Sequence, residues 1–131
     1  MASQNEYTGN FDDISVRGRY NRSNAGHGPT ISVFVKDREA IRADFFPDSP
    51  QGPHHHENPY ANPSNPVATV VKVDGIKNNE SLLEHIVETL PERLCKTGEH
   101  QAAECLTPAD SAEVGRFIAA MYYELNRIQD N

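Results

Sequence analysis

The sequence predicts an α+β domain: an antiparallel sheet of about four strands with two C-terminal helices packed on one of its faces. Three observations point there. Apolar residues recur every second position through the first half of the chain, the period becomes helical after about residue 80, and strands precede helices without interleaving. At 131 residues with 37% apolar content and no Trp, the chain fits one lean core rather than two. Residues 1–13 are polar and read as a flexible arm, leaving 14–131 as a single domain.

Each element has its own signal. "ISVRGRY" (14–20) alternates Ile14, Val16, Gly18 and Tyr20 with Ser15, Arg17 and Arg19, the pattern of a half-buried strand. "NRSNAGHGP" (21–29) is dense in turn formers and reads as a loop. "TISVFVK" (30–36) and "AIRADFF" (40–46) set Ile31, Val33, Val35 and Ile41, Ala43, Phe45 on one face. Only Asp37, Arg38 and Glu39 separate these two runs, so a hairpin follows. Residues 47–66 hold six prolines and read as a long loop, and long loops in compact domains carry function or are disordered. "VATVVKV" (67–73) is β-branched and returns to the sheet. From Ser81, the residues Leu82, Leu83, Ile86, Val87 and Leu90 recur at helical spacing, with Asn79 as N-cap and Pro91 as a break or kink. Thr107, Pro108 and Asp110 form a helix start. The stripe Val114, Phe117, Ile118, Met121, Tyr122, Leu125, Ile128 then follows as core packing.

Charge narrows the partners. The net charge is −7, which argues against a general nucleic-acid coat. It is unevenly spread: residues 14–46 carry +3 and residues 74–131 carry −6. Arg17, Arg19 and Arg42 fall on the sheet face opposite the apolar set, so one cationic face is available to an anionic ligand. No apolar run approaches the roughly 18 residues that span a bilayer, and the first residues hold no apolar leader. The expectation is a cytoplasmic, membrane-free protein with Cys95 and Cys105 as reduced thiols.

The chemistry concentrates in "GPHHHENPY" (52–60). In an extended segment His54 and His56 face one way and His55 the other. Three readings follow. His54 and His56 hold Zn²⁺ or another divalent ion, with Glu57, His27 or an Asp from the sheet completing the shell. Alternatively, they act without metal as base and acid on RNA, with Arg42 and Arg19 stabilising phosphate charge and Tyr60 assisting. In the third reading the loop is a solvated segment whose histidines carry no chemistry, or a docking element of a small subunit or phage-type protein. Arg17, Arg19, His27 and Tyr60 are the candidate ligand contacts; the flanking glycines of His27 allow close approach. His85 reads as a boundary residue of its helix and His100 as a loop residue.

The order of "AIRADFF", "GPHHHENPY" and "ESLLEHIVETL" resembles the small TumE-type toxins of bacterial toxin–antitoxin pairs, over roughly residues 30–94. That resemblance implies a metal-independent endoribonuclease with His54, His56 and Arg42 as catalytic candidates by position, no cofactor, and RNA and an antitoxin as partners. An extra strand at 67–73 and the helix after Thr107 lie outside its pattern.

Overall fold

The computed structural model describes residues 6–11, 13–23, 26–59, 69–71, 73–98 and 108–128. Within them the α+β expectation holds, with more strands than expected. Six strands form one antiparallel sheet in chain order: β1 (Glu6–Phe11), β2 (Ile14–Ser23), β3 (Gly26–Val35), β4 (Arg38–Asp44), β5 (His54–Glu57) and β6 (Val70–Val71). Helices α1 (Asn79–Lys96) and α2 (Pro108–Ile128) pack on one face. No helix among the described residues is long and apolar enough to cross a membrane.

Three expectations change. The segment read as an arm contributes β1, paired with β2 from Glu6↔Arg19 to Phe11↔Ile14. Within the turn-rich stretch 21–29, residues 21–23 and 26–29 are strand rather than loop, because β2 and β3 stay paired out to Ser23↔Gly26. Its glycines serve close approach: a Cβ on Gly28 (φ 152°) would strike the carbonyl oxygen of Phe45. The proline run is not structureless either. His54–Glu57 pairs with β4 from Asp44↔His54 to Ile41↔Glu57, since the five non-prolines between Pro53 and Pro59 leave room for a four-residue ladder.

The core is where the alternation puts it. Val16, Ile31, Val33, Ile41, Ala43 and Phe45 lie under Leu82, Ile86, Leu90, Leu94, Ile118, Met121, Tyr122 and Leu125. Each large side chain removed from water this way contributes about 1.5–3 kcal/mol. The N-cap of α1 is Asn78, one residue before the expected Asn79. Its side chain accepts from the Ser81 amide, while the Ser81 hydroxyl takes up the Asn78 amide. Pro91 lies inside α1 without ending it. The missing hydrogen bond is outweighed by burial of Leu90, Arg93 and Leu94 around it.

A register shift between Val33 and Phe34 matters for the open face. Val33 pairs with Ile41 but Phe34 pairs with Glu39, so Ala40 is the extra residue. Glu39 and Arg42 consequently line the same groove although they are three apart.

Candidate functional site

The open face of the sheet gathers polar residues from β2, β3, β4 and β5. Its centre is Asp44, the last residue of β4. Cross-strand pairing sets Thr30 on one side and His54 on the other, and sets His56 opposite Arg42. Strand alternation then points His54 and His56 to this face and His55 to the helices.

The side chains close into a compact cluster. His56 Nε2 is 3.1 Å and His54 Nε2 is 3.4 Å from the same carboxylate oxygen, Asp44 Oδ2. One ligand atom from each of the three residues lies within 4.8 Å of the other two. The opposite atom of each group is also held. Thr30 Oγ1 donates to Asp44 Oδ1 at 3.1 Å and itself accepts from Asn21 Nδ2 at 2.9 Å. His54 Nδ1 is 2.7 Å from the carbonyl of Gly52. A carbonyl only accepts, so this nitrogen carries the proton and Nε2 turns its other valence toward Asp44. His56 Nδ1 meets Thr69 Oγ1 at 3.0 Å.

The electrostatics agree with this arrangement. Burial pushes the Asp44 carboxyl upward, but hydrogen bonding to His54 and His56 and the Arg42 charge outweigh it, holding Asp44 well below the usual carboxylate range. For His54 burial acts downward, while the bonds to Asp44 and Gly52 raise its proton affinity above the usual imidazole value. Side-chain exposure is 9% for Asp44, 10% for His54 and 5% for His56, so the cluster meets solvent only at its rim. Arg42 closes one side. Its Nε is 3.9 Å from Asp44 Oδ2 and, although buried, has no hydrogen-bond partner among the described residues.

Next to the cluster runs a groove of about 230 Å³, walled by Arg17, Arg19, Thr30, Ser32, Phe34 and Arg42. The Arg17 guanidinium lies over the Phe34 ring, 4.5 Å from its centroid. Thr30 and Arg42 belong to both groove and cluster, so the two share a wall.

The structure thus joins His54, His56 and Arg42 around Asp44 and sets Arg17 and Arg19 beside them. It does not bring the other candidates in. Glu57 faces the helices, 3.4 Å from Arg93 of α1 and 3.6 Å from the buried His55, so Asp44 stands where Glu57 was one expectation for a third ligand. His27 pairs instead with Asp48 at 2.7 Å on the surface. Tyr60, His100 and Cys105 lie outside the described residues, and Cys95 forms no disulfide among the described residues. Asp44 was placeable on the open face from alternation, as an Asp from the sheet. Its pairing with His54 depends on the β4–β5 register, which nothing local in the sequence encodes.

No family model, curated protein or solved structure matches the chain, so the functional reading rests on this geometry.

Proposed function

We propose that the protein binds a divalent transition-metal ion through Asp44, His54 and His56 and acts as a metal-dependent hydrolase on a ligand lying across the open sheet face. The observation that carries this reading is the convergence of two Nε2 atoms and one carboxylate oxygen, each backed on its far side by Gly52, Thr69 or Thr30. Metal-binding histidines characteristically give their second nitrogen to such a partner, which fixes tautomer and ring orientation. Two imidazoles and a carboxylate suit Zn²⁺, Mn²⁺ or Fe²⁺, and three protein ligands leave room for water. The ion would supply Lewis acidity and a water of lowered pKa. An acid–base pair would need the same two Nε2 atoms to turn from Asp44 toward a substrate proton.

The test is a calorimetric titration of chelator-treated protein with Zn²⁺ and with Mn²⁺. One ion per chain is expected, with a raised melting temperature, and both effects should vanish in His54→Gln and His56→Gln. A wild-type protein that takes up neither ion defeats the reading.

A second reading is metal-independent RNA cleavage by His54 and His56 with Arg42, in the manner of the toxins the sequence resembles. The raised proton affinity of His54 and the arginines beside it favour it. RNA cleavage that persists in excess chelator and disappears in the His54→Gln/His56→Gln double variant would select this reading over the first.

A further inference from the structure

The groove beside the cluster has a chemistry of its own. Three arginines, Arg17, Arg19 and Arg42, line it from β2 and β4. Among the described residues Arg19 makes no ion pair, Arg17 has only its stacking contact on Phe34, and Arg42 keeps a buried Nε without an acceptor. Stacking holds the Arg17 guanidinium by its face and leaves its N–H edge for hydrogen bonds. The hydroxyl protons of the groove are already used: Ser32 donates to Glu39 and Thr30 to Asp44. What the groove offers is therefore guanidinium N–H groups, the donors matched to an oxyanion.

We propose that this groove binds the phosphate group of a small phosphate monoester, held by Arg17, Arg19 and Arg42 so that the ester faces the Asp44–His54–His56 cluster. The hydrolytic role rests on the metal-centre reading above, whereas the phosphate site stands on the arginines alone. Charge and size choose the ligand. A carboxylate has one charge and two oxygens, which a single guanidinium fork satisfies. A phosphate monoester presents close to two charges and three terminal oxygens, enough to engage three arginines. Two carboxylates also line the groove: Glu39 is engaged by Ser32, and Glu6 stands opposite Arg19 in the register. Among the lining residues the three arginines outnumber these two, while Asp44, 3.9 Å from Arg42 Nε, belongs to the cluster. At about 230 Å³ the groove is smaller than the ~300–1,000 Å³ typical of sites for drug-sized ligands, so it fits a phosphate and the start of its ester. A long polyanion would also meet the overall charge of −7, while a compact dianion meets only the local cationic wall.

The experiment is an NMR titration of the full chain, metal-free in chelator, with inorganic phosphate, following the arginine Nε–H signals. Saturable shifts of Arg17, Arg19 and Arg42 are expected. Affinity should fall about tenfold in Arg19→Gln and in Arg42→Gln and stay unchanged in Arg116→Gln, on the exposed side of α2. Arg19 is exposed, so its variant tests the site even if Arg42→Gln folds poorly. Absence of saturation, or equal weakening by Arg116→Gln, overturns the proposal. So does tighter binding of a single-stranded oligonucleotide without terminal phosphates than of inorganic phosphate, which assigns the groove to a diester chain. Repeating the titration with Zn²⁺ separates the two claims. Phosphate binding without metal uptake removes the hydrolase reading and keeps this site, and metal uptake without phosphate binding does the reverse.

Discussion

Asp44 and His54 are register partners across the β4–β5 ladder, and their side chains meet 3.4 Å apart on the open face of the sheet. The pairing puts a buried carboxylate between two imidazoles, because His56 reaches the same oxygen from two residues further along β5. The cluster's three groups ride on adjacent strands, the kind of rigid support that a functional site needs.

Removing the carboxylate should therefore cost stability as well as function. Asp44→Ala leaves two buried imidazoles and the Thr30 hydroxyl without their acceptor, and a loss of about 3 kcal/mol is expected in metal-free protein. Asp44→Asn keeps the shape and one carbonyl acceptor and should lose less. Urea denaturation in chelator measures both. Equal stabilities for wild type and Asp44→Ala would mean that the cluster is not held together by this residue.

Thr30 offers a finer probe of metal binding, since it is not one of the three metal ligands and acts on them through Asp44. Thr30→Val keeps the β-branched shape in β3 but deletes the hydroxyl that orients Asp44 Oδ1. Metal affinity should fall 10- to 100-fold, the usual cost of losing such support. The comparison with Thr30→Ser, which restores the hydroxyl, separates orientation from packing. Titration of both variants with Zn²⁺ checks it, and a Thr30→Val affinity equal to wild type would sink the claim.

Much of this fold was legible because its strands and helices carry their own periods. Ile31, Val33 and Val35 on one strand, and Val114 to Leu125 on the last helix, announce their buried faces without tertiary information. The same alternation sends Arg17, Arg19 and Arg42 to the open face. What escaped was register and local override. The turn-forming letters of 21–23 and 26–29 sit in paired strands because neighbouring strands, not the segment itself, decide its conformation. His54–Glu57 becomes a strand only because β4 offers an edge to it. Asp44 joins the histidines through that pairing, and Glu39 joins Arg42 through a bulge at Ala40, neither of which has a local signature.

Gly28 tests how tightly the strands that carry the cluster are fitted. It lies at φ 152°, and any Cβ there would meet the carbonyl oxygen of Phe45, the residue next to Asp44. A backbone atom cannot swing aside as a side chain does, so Gly28→Ala must push β3 and β4 apart locally. A loss of about 1–3 kcal/mol is expected, with weakened metal binding as Asp44 shifts. Glu113→Gln, on the exposed side of α2, serves as a control that should change stability by less than about 0.5 kcal/mol. Thermal melting and Zn²⁺ titration of both variants decide the matter.

His55 makes the folded state sensitive to acid from the other side of the sheet. It is 1% exposed, and its Nε2 has no hydrogen-bond partner among the described residues. Burial first, and then the nearby His85 and Arg93 charges, push its pKa down to about 3 from the ordinary 6.5. Glu57, 3.6 Å from Nε2, does not reverse this, because it is shared with Arg93. Below pH 6.5 the unfolded chain takes up a proton at this residue that the folded chain refuses. Stability from His55 is therefore complete above pH 6.5 and declines as pH falls from 6.5 toward 3. Between pH 7 and 5 the loss is up to about 2 kcal/mol. Other groups titrate in the same range, so the informative quantity is a difference between proteins. Replacing the imidazole in His55→Met keeps an adaptable apolar side chain in the core and removes the proton site. Urea denaturation at pH 7, 6 and 5 should give a flatter profile for His55→Met than for wild type, by the amount above. Parallel profiles would show that His55 takes up its proton without unfolding the sheet, and that the helix-facing side of β5 opens to water.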